Sequence, residues 1–276
     1  MNRFSPRIEG VIFDWAGTMV DYGCFAPLDV FKEVFKKRGI DVLDEEAREP
    51  MGLQKREHIQ AMCRMDRIAH LWKDRYGRNP DENDIDELYA DFEPILFASL
   101  PAYCSPVPGA VELVGRLREE GIKVGSTTGY TSEMMAIVKR EVKKQGYVPD
   151  SLVTSSQVPA GRPFPWMCYH NAINLGIYPM NRMVKVGDTV SDIQEGLNAG
   201  AWSVGVIKGS SELGLRKEEV KAMEPALLAE KMEAVAEKFK KAGAHYVIES
   251  IGKLDGVLSQ INMRMANEET PTLTSF

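Results

Sequence analysis

The sequence predicts an α/β protein, a parallel sheet with helices on both faces, interrupted after its first strand by a helical insertion. Three observations carry this. Short apolar runs ending in small or acidic residues recur along the chain. Helix-like segments lie between those runs. Residues 22 to about 100 break the alternation with helices alone. Strands that alternate with helices pair in parallel, and ligands of such sheets sit at the carboxyl ends of the strands.

The apolar runs predict strands over 10–15, 122–128, 151–155, 183–188 and 202–207, with a late candidate at 245–249. Helices are expected over 110–120, 132–145, 165–175 and 191–199. In the insertion, 25–38, 45–63, 64–76 and 81–97 read as helices, with Gly39, Gly77 and Pro80 among the breaks. The proline-rich stretch 100–110 returns the chain to the sheet. Residues 211–241 are charged and largely helical, with Glu237 and Lys241 one turn apart on a solvated face. The expected division is a core of 1–21 and 101–265, a helical cap of 22–100, and a poorly ordered tail of 266–276.

Composition narrows the function classes. Of 276 residues, 44% are hydrophobic and 27% charged, ample for a core. With 34 Lys and Arg against 40 Asp and Glu, the net charge of −6 argues against non-specific nucleic-acid binding. The four cysteines, Cys24, Cys63, Cys104 and Cys168, form no CxxC pair, which argues against zinc and a disulfide framework. The N-terminal residues carry no apolar signal segment, and no apolar run of membrane-spanning length exists. A cytoplasmic protein with a small-molecule ligand is expected.

The candidate chemistry sits at strand ends. Asp14 follows three apolar residues and precedes small ones, so its carboxylate can attack phosphorus; it can equally cap a turn. Asp188 and Asp192, four apart in GDTVSDIQEG, offer hard oxygen ligands suited to Mg²⁺, Asp188 directly and Asp192 from one step behind. Helix capping by Thr189 and Asp192 is the plainer alternative, and both can hold. Thr128 and Gly129 end the second core strand, where a hydroxyl and a free N–H can grip phosphate oxygens. Arg162, between Gly161 and Pro163, can clamp two such oxygens in a planar fork. Lys55, in MGLQKREHI, reads from composition alone as a solvated helix-face residue.

FDWAGT (13–18), TTGYT (127–131), GRPFPW (161–166) and VGDTVSDIQEG (186–196) resemble the four ordered motifs of the haloacid dehalogenase superfamily. More narrowly, DWAGTMVDYG with MGLQKREHI and AGRPFPWM resembles the phosphonatase family within it. The match runs from about Gly10 to Gly209. It implies a Rossmann-like core with an all-helical cap after the first strand. It also implies Mg²⁺ held by Asp14, the Ala16 carbonyl and Asp188, an aspartyl phosphate on Asp14, and a Schiff base on Lys55. Cys24, Met51, His58 and Tyr130 resemble supporting positions. Cys24 has no histidine paired with it in sequence, so a nucleophilic thiol is not expected.

The implied reaction is hydrolysis of the P–C bond of phosphonoacetaldehyde, in 2-aminoethylphosphonate degradation. Ordinary phosphatases of the superfamily carry a second aspartate two residues after the first, to protonate an alkoxide. Ala16 stands there in this chain. That argues against a phosphomonoester phosphatase or phosphosugar mutase, and the intact Asp14, Lys55, Arg162 and Asp188 argue against a non-catalytic binding module. The family also implies a homodimer. Met62, Met65, Ile68, Leu71 and Trp72 on the insertion offer an apolar interface or, equally, the core of a lid. The family pattern has threonine at Met19, a departure expected to affect packing more than chemistry.

Overall fold

The computed structural model describes residues 7–271. Those residues form six strands and twelve α-helices. Strand β1 (Gly10–Phe13) is followed by five helices, α1 (Phe25–Lys37), α2 (Asp44–Arg48), α3 (Lys55–Cys63), α4 (Asp66–Tyr76) and α5 (Glu82–Ser99). Helix α6 (Ala110–Glu119) then leads to β2 (Lys123–Thr128), α7 (Ser132–Lys143), β3 (Ser151–Thr154), α8 (Trp166–Leu175), β4 (Met183–Gly187), α9 (Val190–Asn198) and β5 (Trp202–Val206). Helices α10 (Lys217–Ala222) and α11 (Pro225–Lys241), strand β6 (Tyr246–Ile248) and α12 (Leu254–Ala266) complete the chain.

All six strands are parallel, in the order β3-β2-β1-β4-β5-β6. Gly10 of β1 is in register with Lys123 on one side and Met183 on the other. The strands read as apolar runs because helices cover both faces of a parallel sheet. The chain grows outward from β1 in one direction, then resumes at β4 on its other side. The crevice for a ligand opens there, past the carboxyl ends of β1 and β4. Asp14 and Asp188 are the next residues after those two ends.

Helices α1 to α5 form a lid with its own buried side chains, including Phe31, Phe35, Met62, Ile68, Trp72, Leu88 and Phe92. Met62, Ile68 and Trp72 are therefore lid core, not a dimer face; Met65 and Leu71 are half-buried against the same core. Met19 is fully buried as well.

Two expectations are corrected. The helix expected over 45–63 is two helices, α2 and α3, parted by a loop at Pro50–Gln54. Pro50 has no N–H to continue the helical ladder, and Gly52 at φ +94° leaves the right-handed helix altogether. Helix α12 has no counterpart among the expected helices, although Val257, Leu258, Ile261 and Met265 bury one face of it. Of the tail expected to be poorly ordered, residues 272–276 lie outside the described residues. No helix among the described residues is long and apolar enough to cross a membrane.

Candidate active site

Two close approaches build the core half of the site. Gly17, at φ +91°, passes so near Asp188 that a Cβ there would lie 2.2 Å from Oδ2. The turn thus brings the segment after β1 onto the segment after β4, and only glycine allows it. Thr18 Oγ1 donates to Asp188 Oδ1 at 2.8 Å, and the Ser211 backbone N–H donates to Oδ2 at 2.8 Å. Gly187 packs on Asp192 in the same manner, a Cβ falling 2.2 Å from its Cγ. Thr189 caps α9 and donates from its hydroxyl to Asp192 Oδ2 at 2.6 Å.

Asp14, Asp188 and Asp192 converge, each contributing one oxygen within 4.8 Å of the others. All three are buried. Arg162 donates from Nη2 to Asp14 Oδ1 at 2.5 Å and to Thr127 Oγ1 at 2.9 Å. Its Nε lies 2.9 Å from Glu195 Oε2 and 3.1 Å from Asp192 Oδ1. Lys185 donates from Nζ to Asp192 Oδ1 at 2.6 Å. Burial pushes Asp14 above the ordinary carboxylate range despite Arg162. Asp188 is pushed well above it by burial, then by the charges of Asp14 and Asp192. Burial also opposes ionisation of Asp192, but Arg162 and Lys185 outweigh it and hold that carboxyl below its ordinary value.

The lid half comes from the loop between α2 and α3. Its backbone lies on the core without side-chain spacers: a Cβ on Gly129 would meet Leu53 O at 2.6 Å, and one on Gly52 would meet Ser191 Oγ at 2.2 Å. Ser191 Oγ donates to Met51 O at 3.3 Å and Arg162 Nη1 to Gly52 O at 3.4 Å. Lys55, the first residue of α3, is only 5% exposed. Its Nζ lies 5.0 Å from the centre of the Tyr130 ring and 5.7 Å from that of Phe31. Burial holds its amine below the ordinary lysine range; nearby acidic groups and Cys24 oppose this, and Arg162 adds to it.

One cavity is lined by Asp14, Ala16, Cys24, Met51, Gly52, Lys55, Thr128, Gly129, Tyr130, Arg162 and Thr189. Nine of these are sequence candidates, drawn from the segment after β1, the end of β2 and the turn beyond it, the lid loop, the start of α3 and the segment after β3. About 20 Å³ of it is reachable by the centre of a water molecule, room for little more than one water. Lid and core are shut together. His58 lies outside that lining. It is fully buried, stacks on Phe31 at 3.8 Å between ring centres, and pairs Nε2 with Ala47 O at 2.9 Å. Burial, then Lys55, keep its pKa well below the usual imidazole value. Thr128 turns its hydroxyl to the Tyr130 backbone N–H, at 3.1 Å. Burial raises the thiol of Cys24 and the phenol of Tyr130 well above their ordinary values, with further upward pushes from nearby acidic groups.

Sequence reasoning missed Thr127, Lys185 and Glu195, which surround Arg162 and Asp192. Lys185 had a legible signal, a lone charge inside the apolar run MVKVG. It also missed Arg48, whose Nη1 donates to Gly23 O at 2.7 Å and to Ser211 O at 3.3 Å, joining lid to core.

The haloacid dehalogenase-like hydrolase family matches residues 8–200. A phosphonoacetaldehyde hydrolase of Bacillus cereus (strain ZK / E33L) is 60% identical over 92% of this chain and 97% of its own length. A bifunctional phosphonoacetaldehyde hydrolase/aminoethylphosphonate transaminase of Clostridioides difficile (strain 630) is 59% identical over 94% of this chain, which spans 41% of that longer protein. Among solved structures, a phosphonoacetaldehyde hydrolase-like protein from Oleispira antarctica superposes with a TM-score of 0.94 at 41% identity, covering 98% of this chain and 99% of that one.

Proposed function

This chain belongs to the phosphonoacetaldehyde hydrolase family of the haloacid dehalogenase-like hydrolases, and on that premise we propose that it hydrolyses the P–C bond of phosphonoacetaldehyde to acetaldehyde and phosphate. The observation that carries the proposal is the buried Lys55 amine in one cavity with Asp14, while Ala16 leaves no second aspartate. Cleaving a P–C bond releases carbon with its electron pair, which needs an electron sink more than a proton donor. A protonated imine is such a sink.

The residues divide the work. The neutral Lys55 amine adds to the aldehyde and expels water, giving an imine that is protonated in use. Asp14 attacks phosphorus in line, the P–C bond breaks, and its electron pair passes into the imine to leave an enamine on Lys55. Arg162, with the hydroxyl and backbone N–H groups at Thr128 and Gly129, stabilises the charge on the phosphonyl oxygens. Protonation of the enamine carbon and hydrolysis release acetaldehyde and restore the amine. Water cleaves the aspartyl phosphate. The closed lid excludes bulk water while the imine exists.

The donor set fits a divalent cation. Asp14, Asp188, Asp192 and Glu195 face two cationic side chains, Arg162 and Lys185, so the buried cluster lacks two positive charges when ionised. Asp192 is already held by Lys185 and Thr189, which leaves Asp14 and Asp188, with the carbonyl of Ala16, to hold Mg²⁺. Mg²⁺ bound there supplies positive charge against the transferring phosphoryl group. The transaminase fused to the Clostridioides relative supports a place in 2-aminoethylphosphonate degradation, and the family resemblance supports a homodimer, which sedimentation tests. The deciding experiment for the reaction is borohydride reduction during turnover, followed by peptide mapping. Lys55 should carry a substrate-dependent two-carbon adduct, and an unmodified Lys55 peptide would falsify the imine.

A further inference from the structure

A guanidinium has two usable edges. The terminal edge of Arg162 reaches Asp14 and Thr127 on the cavity side. Its Nε edge faces α9, where Glu195 Oε2 accepts at 2.9 Å. The same oxygen accepts from Thr127 Oγ1 at 3.1 Å and lies 3.4 Å from Lys185 Nζ. Glu195 is fully buried, and its other oxygen, Oε1, has no hydrogen-bond partner among the described residues. A half-satisfied buried carboxylate is costly, and packing gives no reason for one on a helix face that also buries Ile193 and Leu197.

Arg162 gives a reason. Arginine and carboxylate prefer a two-pronged pair, and Arg162 already touches Asp14. Without Glu195, Nε would keep only the 3.1 Å approach to Asp192 Oδ1, an oxygen already taken by Lys185, and the guanidinium would swing into a full clamp on Asp14, blocking the nucleophile and withdrawing its fork from the substrate. We propose that Glu195 is a positioning residue that fixes the Nε edge of Arg162, so that the terminal edge grips the phosphonate and Asp14 stays available to attack. This rests on the function proposed above only in naming the oxyanion as a phosphonate.

The test is binding of inorganic phosphate to the Mg²⁺-loaded full-length protein by calorimetry, with borohydride trapping at Lys55 beside it. Glu195→Gln should weaken phosphate binding and lower kcat by about 10- to 100-fold, the usual scale for a residue acting through another. At saturating phosphonoacetaldehyde, trapping at Lys55 should stay within about twofold, because forming the imine uses the amine and the aldehyde and not Arg162. In an Arg162→Lys background, Glu195→Gln should cost almost nothing further, since the two losses share one interaction. Unchanged phosphate affinity, additive losses in the double variant, or joint loss of trapping and phosphate binding would each overturn the proposal. If the amide variant does not fold, Glu195→Asp keeps the charge and shortens the reach, and full phosphate affinity there would equally overturn it. Phosphate binding reads Arg162 directly, so it decides the role of Glu195 even if the protein releases no acetaldehyde.

Discussion

Gly52→Ala is the sharpest test of the docked lid. In the closed structure the new Cβ would stand 2.2 Å from Ser191 Oγ and 2.7 Å from Thr189 Oγ1, on a backbone at φ +94°. The backbone strain is about 1–2 kcal/mol for an L-residue in the left-handed region. Overpacking against the two hydroxyls adds about 1–3 kcal/mol, towards the lower end if Ser191 rotates away. The steric share falls on closure alone, because Gly52 belongs to the lid loop and both hydroxyls to the core. At about 1.4 kcal/mol per tenfold, it lowers the closure equilibrium constant by about 5- to 150-fold, and kcat/KM by up to that factor. The assay is acetaldehyde release from phosphonoacetaldehyde, with thermal unfolding alongside. Adding Ser191→Ala removes the nearest atom and leaves Ser191 Cβ at 3.5 Å, so part of the activity should return with little change in Tm. Wild-type kcat/KM in Gly52→Ala refutes the reasoning, and so does a loss that Ser191→Ala leaves untouched while Tm falls in step.

Four further outcomes are expected. Asp188→Asn should raise the Mg²⁺ concentration for half-maximal activity by more than about tenfold, the loss seen even for groups one step removed from a metal; a metal titration of phosphate release checks it. Because burial holds the Lys55 amine below 10.5, trapping by borohydride should rise with pH and level off before the ordinary lysine range. A rise continuing past that range contradicts a depressed amine. Burial raises the Asp21 carboxyl from 3.8 to about 6, so the unfolded chain loses that proton first and stability falls as pH climbs through this window. Relative to Asp21→Asn, the wild type should lose about 3 kcal/mol across it, measured by denaturant unfolding. Arg48→Met should cost about 1.5–3 kcal/mol of stability, the scale of a charged hydrogen bond, and weaken Mg²⁺ activation, because Arg48 meets the Ser211 carbonyl while the Ser211 N–H holds Asp188.

The sheet was legible because a parallel strand buried on both faces must be apolar along its length, and each expected strand ends within two residues of an observed one. Asp14, Thr128 and Arg162 were legible because they sit beside strand ends or proline-flanked turns, where local chemistry is unusual. The break in the expected 45–63 helix was readable in Pro50 and Gly52 and lost to the apolar periodicity around them. Glu195 was not readable in the same way. Its hydrogen-bond partners are Thr127 and Arg162, 68 and 33 residues away, and from sequence a glutamate on an amphipathic helix belongs to the solvent face. Arg48 is hidden for the same reason, its contact to Ser211 spanning 163 residues. What sequence conceals here is the set of residues that hold others in place, because their chemistry exists only once distant segments meet.

Ala16 and Lys55 are two halves of one arrangement. Among the described residues lining the cavity, the proton donors other than Lys55 and Arg162 are thiol, phenol and hydroxyl groups, and burial raises Cys24 and Tyr130 well above their ordinary values. None of these replaces a carboxylic acid two residues after the nucleophile. In the proposed reaction the lid amine, lowered by the same burial, becomes a protonated imine, so positive charge develops where the departing electron pair must go. With the proposed nucleophile and sink on different halves of the molecule, neither half would cleave P–C alone. The proposed chemistry then waits on closure, and the docked lid rests on Gly129 lying against the lid-loop backbone and on Gly52 lying against the Ser191 and Thr189 hydroxyls. A relative with an aspartate at position 16 would hold both catalytic acids on the core, and its lid would serve to exclude water without having to supply a reacting group.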